Sequence, residues 1–156
     1  MSVELVLALG YGCERRGLPA KVSYQRWSLA ALAAARRRGR YALSLRVVGA
    51  DEGQQLNRDF RAKDYATNVL SFPADETIDG VRLLGDLALC APVIAREAGE
   101  QGKSVRAHHA HLTVHGVLHL LGHDHEDAAG AERMEALEIR ILASLGYANP
   151  YEELRP

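Results

Sequence analysis

Cysteine is nearly absent from this 156-residue chain, with only Cys13 and Cys90 present. Two such residues build no disulfide framework and match no metal-ligand spacing, which excludes a disulfide-stapled secreted module. Also missing is any apolar run near the roughly 20 residues that span a bilayer, so no membrane partner is expected. The segment from Met1 to Gly10 is apolar, but it carries Glu4 and has no positive n-region. It reads as a first strand rather than a signal peptide. No repeat, low-complexity tract or Pro/Gly-rich linker divides the chain, so residues 1–156 are expected to form a single domain. A cytoplasmic protein fits these absences.

What is present is ordinary in bulk and uneven in detail. The net charge of −1 conceals two halves of opposite sign. Residues 1–63 hold 12 Lys/Arg against 5 Asp/Glu, a balance of +7, and residues 64–156 hold 7 against 15, a balance of −8. A basic half can attract a polyanion such as nucleic acid even when the total is near zero. The plainer reading of Arg36, Arg37, Arg38 and Arg40 is a solvated helix end that favours the C-terminal dipole.

The hydrophobic pattern predicts a strand over Val3–Leu9, then an Ala-rich helix over Ser23–Arg38 closed by Gly39. A half-buried strand over Tyr41–Val48 follows, then a short helix from Asp51 to about Phe60 with Asp51 as N-cap. Asn68–Phe72 is a short β-type run ended by Pro73, and Leu83–Leu89 is another, interrupted by Gly85 and Asp86. Three helices are expected after that, over Ala91–Gly99, Val105–Leu121 and Ala128–Leu145. The last carries Met134, Leu137, Ile141, Leu142 and Leu145 on one stripe. Strands and helices mix without strict alternation, which predicts an α+β domain with a small mixed sheet of about four strands.

All seven histidines fall between His108 and His125. His115 and His119 are four apart within the strongest helical pattern, so their imidazoles stand on one face, one turn apart, and can reach one ion. Gly122 can end that helix with positive φ. The chain then turns back, and His125 can complete a three-nitrogen set, with His123 as its rival. Three protein nitrogens leave a fourth position for water or substrate on a tetrahedral ion such as zinc, which marks a catalytic site. His108 and His109 are expected at the surface, and His111 is expected to buttress the site by hydrogen bonding. Asp124 is a candidate cap for the last helix or a partner for a ligand imidazole.

The spacing His-x3-His-x2-Gly-x2-His is also that of long metalloprotease motifs, which need a Glu directly after the first His as general base. Here that position is Gly116. A glycine takes no proton, so the peptidase reading loses its base.

The run His115-Gly-Val-Leu-His119-Leu-Leu-Gly122-His123-Asp124-His125 resembles the HGxLHLxGyDH motif of the YbeY endoribonucleases, or rRNA maturation factors. A second block, from Leu56 through Arg61, Lys63, Asp64, Thr67, Asn68, Val69, Leu70, Ser71 and Phe72 to Pro73, is similar to that family's LNxxyRgkdkpTNVLSFP. Leu84-Gly85-Asp86-Leu87 looks like its LGDI strand. The order and spacing agree over roughly residues 45–147. One departure is His123, where the family usually has Tyr.

The resemblance implies a small α+β domain with a zincin-like metal helix, and zinc on the histidines matching His115, His119 and His125. It also implies single-strand-preferring endoribonuclease activity, maturation of the small-subunit rRNA 3′ end and ribosome quality control. The partners would then be single-stranded RNA, the small ribosomal subunit and ribosome-associated proteins. Arg61 aligns with the family's functionally important arginine and can bind phosphate bidentately; the plainer reading is a salt bridge with Asp59 or Asp64. Two other functions compete: a hydrolase or atypical peptidase on another substrate, and a ribosome-assembly factor whose zinc performs no turnover.

Overall fold

The computed structural model describes residues 2–123 and 127–152. Among these, β1 (Val3–Gly12), β2 (Gly39–Val48), β3 (Val69–Ile78) and β4 (Val81–Cys90) form one sheet in the order β1-β2-β4-β3. The first three in that order are parallel, and β3 runs antiparallel to β4 at the edge. The helices are α1 (Lys21–Ala34), α2 (Ala50–Arg61), α3 (Ala91–Gln101), α4 (Val105–Leu120) and α5 (Ala128–Ser144). This is the mixed four-stranded α+β architecture that the pattern predicts.

Strand alternation explains which face is covered. Leu5 and Leu7 of β1, Tyr41, Leu43, Leu45 and Val47 of β2, and Leu87 and Leu89 of β4 are buried. Their register sets Leu7 beside Leu43, Leu45 beside Leu87 and Val47 beside Leu89, so side chains of period two meet on one face. Against that face pack Trp27 and Leu32 of α1, Val114, Val117 and Leu118 of α4, and Met134, Ile141 and Leu142 of α5. The α5 stripe falls as expected. The α4 helix lies centrally, touching α1, α3, α5, β3 and β4.

Several boundaries differ from the sequence expectation. The first helix ends at Ala34, and it is Arg36 (φ 58°), not Gly39, that leaves it left-handed; Gly39 instead opens β2. The N-cap of α2 is Gly49, which puts Asp51 and Glu52 in the first turn, where their charge favours the helix dipole. The largest difference is β3. Pro73 does not end it, because an edge strand tolerates a residue without an N–H. It continues to Ile78, and Asp79 and Gly80, both at positive φ, turn it into β4. An Asp-Gly pair is the usual dipeptide of such two-residue hairpins.

Gly85 carries a constraint of its own. Its φ is +130°, and a Cβ there would lie 2.1 Å from the Phe72 carbonyl oxygen. Only glycine lets β3 approach β4 this closely, beside register shifts on both sides of β4.

Candidate metal centre and its supporting network

The centre is built on α4. Ser104 caps its N-terminus by accepting from the Ala107 N–H at 3.0 Å. At the other end, Gly122 (φ 98°) takes the chain out, with the Gly122 N–H donating to the His119 carbonyl and the His123 N–H to that of Leu118. This is the glycine stop read from the sequence. His115 and His119 stand one turn apart on α4, with ring centroids 6.4 Å apart and planes inclined by 37°. His125, the expected third ligand, lies outside the described residues with Asp124 and Glu126. The N-cap of α5 is Asp127, which accepts from the Gly130 N–H, rather than Asp124.

Sequence reasoning missed the group that organises these rings. Glu138 of α5 is fully buried. One of its oxygens, Oε1, lies 2.6 Å from His115 Nδ1; Oε2 lies 3.1 Å from His111 Nε2 and accepts a short hydrogen bond from the Tyr151 hydroxyl. Burial pushes the Glu138 carboxyl up, but the hydrogen bonds from His111, His115 and Tyr151 together outweigh it and hold it down, to about 2. An ionised carboxylate only accepts, so the hydrogen bond to it runs from the His115 Nδ1–H. A carboxylate behind the ligand imidazole is how metal sites fix ring orientation and tautomer. Two imidazoles one turn apart, one of them backed by a buried carboxylate, are donor chemistry of the kind that suits a divalent ion. One clue was present in the sequence: Glu138 falls on the apolar stripe of α5, four residues after Met134, where an unpaired charge is not tolerated.

His111 does buttress the site, through Glu138. His108 and His109 are not surface groups: they are buried at 2% and 0% exposure. His108 Nε2 lies 2.9 Å from Glu97 Oε1, and Glu97 also accepts from the Asn68 amide at 3.0 Å. His109 Nδ1 shares a 2.9 Å hydrogen bond with the Tyr24 hydroxyl. Burial, with a smaller contribution from His108, pulls the His109 pKa down to about 4. The central position of α4 overrides the polarity of these side chains, and each finds one partner.

Gly116 has a packing reason. A Cβ there would sit 2.7 Å from Leu87 Cδ2 and 3.1 Å from Cδ1, and Leu87 is itself 1% exposed. The helix meets β4 at this point, so a side chain at the position where a peptidase keeps its glutamate would have to displace Leu87.

Arg61 ends α2 and is held by β3: its Nη2 donates to the Ser71 carbonyl at 2.6 Å, and its guanidinium lies 5.6 Å from the Phe72 ring centroid. Among the described residues, neither expected acid pairs with it; Asp64 pairs with Arg58 and Asp59 accepts from Gln55. A small cleft of about 270 Å³ borders the end of α4, lined by His119, Leu121, Pro73, Asp75 and Arg82 among others. No helix among the described residues is long and apolar enough to cross a membrane.

Comparison with known proteins places this geometry in a lineage. The family profile described as Endoribonuclease YbeY matches residues 19–146. Proteins named Endoribonuclease YbeY are similar along nearly the whole chain. One from Stenotrophomonas maltophilia (strain R551-3) is 61% identical over 157 residues, covering 96% of this chain and 94% of that protein. One from Xanthomonas axonopodis pv. citri is 56% identical with the same coverage, and one from Aromatoleum aromaticum is 55% identical, covering 96% and 92%. The fold is similar to the solution structure of TM1509 from Thermotoga maritima, with a TM-score of 0.58, 20% identity, and coverage of 95% of this chain and 100% of that one. The chain belongs to the endoribonuclease YbeY family.

Proposed function

We propose that this chain is a metal-dependent endoribonuclease that cuts single-stranded RNA, with residues 1–156 acting as a single domain. His115, His119 and His125 would hold a zinc ion. The observation that carries the reading is the Glu138–His115 contact, a buried carboxylate behind an α4 imidazole, in a chain 61% identical to an endoribonuclease. Bound there, zinc supplies a Lewis acid that stabilises charge developing on phosphoryl oxygens. The chain's own groups do the rest. Glu138 fixes the His115 ring through its Nδ1–H. Arg61, anchored on the Ser71 carbonyl through Nη2, offers its remaining N–H groups to a phosphate oxygen of the scissile link.

Maturation of the small-subunit rRNA 3′ end and ribosome quality control in the cytoplasm are the setting we propose, with the small subunit and ribosome-associated proteins as partners. Gly116, which offers no general base beside His115, argues against the peptidase alternative. The test is cleavage of single-stranded rRNA fragments by the purified protein, with and without chelator, beside His115→Ala. Cleavage lost in both supports the proposal. Cleavage that survives both removes the metal from the reaction. RNA binding without any cleavage, unaffected by the substitution, would favour an assembly factor.

A further inference from the structure

A second cleft, of about 930 Å³, lies where the end of α1 meets the start of β1 and the last turn of α5. Its rim is Arg26, Arg36, Arg37 and Arg38, and its floor is apolar, with Leu29, Ala30 and Ala33. Arg26, Leu29, Ala30 and Ala33 follow at helical spacing, so one face of α1, half-buried at Leu29 and Ala30 and exposed at Arg26 and Ala33, supplies both floor and rim.

Among the described residues none of the four rim arginines has a carboxylate within ion-pair distance, whereas Arg40, Arg46, Arg58, Arg82 and Arg96 each have one. The Arg37 Nε is buried without a hydrogen-bond partner among the described residues. Arg36 holds its side chain at the rim from a left-handed backbone (φ 58°), a conformation in which glycine or asparagine is the easier residue.

Arg37 also connects the cleft to the metal centre. Its Nη2 donates to the Leu121 carbonyl at 3.2 Å, and Leu121 lines the small cleft that contains His119. The two depressions have no lining residue in common, and this hydrogen bond joins a wall of one to a wall of the other.

We infer that the arginine-rimmed cleft binds a nucleotide of the RNA strand outside the scissile link, with phosphates on the guanidinium rim and a base against the aliphatic floor and arginine planes. The chemistry is that of single-strand recognition, in which cations track the backbone and bases stack on flat groups, here the guanidinium planes. The inference rests on the proposed RNA substrate, but binding can be measured apart from cleavage.

The experiment uses the full chain with Arg26→Gln, Arg36→Gln and Arg38→Gln combined, leaving Arg37 in place because it holds the end of α4. Binding of labelled oligouridylate is followed by fluorescence anisotropy in chelator across a salt series. Each phosphate contact on a single strand contributes about 0.7 to the slope of log K against log salt, so the slope should fall by about 2. Ala33→Glu, which puts an acid on the exposed floor without touching an arginine, should weaken binding as well. For a long RNA the triple variant should raise KM and leave kcat unchanged, and a trinucleotide should be cut as by wild type. An unchanged slope and affinity in both variants would overturn the inference. So would an equal loss of polyglutamate binding, which would mark an indifferent anion surface. Arginine-dependent binding by a wild-type protein that cuts no RNA would leave the cleft standing and remove the proposed reaction.

Discussion

Replacing Glu138 tests whether the buried carboxylate sets the metal centre or only fills the space between α4 and α5. Glu138→Ala removes the acceptor for His111, His115 and Tyr151 together. A hydrogen bond to a charged group contributes about 1.5–3 kcal/mol, and such bonds are not additive within one network. Breaking a buried charged network by removing one partner costs about 3–5 kcal/mol, and that range is the expected loss for the metal-free protein. Glu138→Gln is the more informative change. It keeps the volume and one carbonyl acceptor but replaces the second oxygen by an amide that donates, opposite His111 Nε2. Its stability should fall by only about 1–2 kcal/mol, while zinc affinity falls about 10- to 100-fold, the usual effect of losing the partner of a ligand histidine. Urea unfolding of metal-free protein reads the first quantity, and zinc competition against a chromophoric chelator reads the second. A folded Glu138→Gln protein with wild-type zinc affinity would refute the argument that this carboxylate orients His115.

Four further outcomes are expected. Gly116→Glu must displace the buried Leu87 and should destabilise by at least about 3 kcal/mol in urea unfolding, since overpacking and a buried unpaired charge add. Arg61→Ala should keep zinc in the competition assay but lower RNA turnover by about 10²- to 10³-fold, as for loss of one transition-state donor; loss of metal instead would make Arg61 structural. The depressed pKa of His109, about 4, means the unfolded chain takes up its proton first as pH falls. The stability this His contributes is complete above about pH 6.5 and is lost between there and about pH 4, on the order of 3 kcal/mol at one pKa unit per 1.36 kcal/mol. Denaturant titrations over this range should show a smaller pH dependence in His109→Gln. Gly85→Ala forces a Cβ toward the Phe72 carbonyl and should lower the thermal midpoint by several degrees, because both the left-handed φ and the contact are lost to it.

Much of the molecule was readable from residue pattern, and the failures have physical causes. Alternation in Tyr41–Val48 and the stripe on α5 encode burial directly, so β2 and α5 were found. The helical spacing of His115 and His119 likewise needed no tertiary information. The pattern ends β3 at Pro73 because proline stops most strands, and its tolerance here follows from lying at the sheet edge, a property of topology. The burial of His108 and His109 depends on α4 being surrounded, which a polar sequence run does not disclose. Glu138 lies 23 residues from His115, and no local rule pairs them. Gly116 was read only as the absence of a base; the contact with Leu87 supplies the reason for that absence.

The position of α4 has an energetic consequence. The helix that bears His115 and His119 is also the one that α1, α3, α5 and the sheet all rest on. Ion occupancy and global unfolding are therefore linked, since the unfolded chain holds no such preformed site. At a free zinc concentration a thousandfold above Kd, mass action adds about 4 kcal/mol to the unfolding free energy. Chelation should thus lower the melting temperature of the whole domain, with α1 and the sheet lost in the same transition as the histidine helix. If zinc is the ion held, the steady-state amount of this protein in a zinc-starved cell would follow zinc supply.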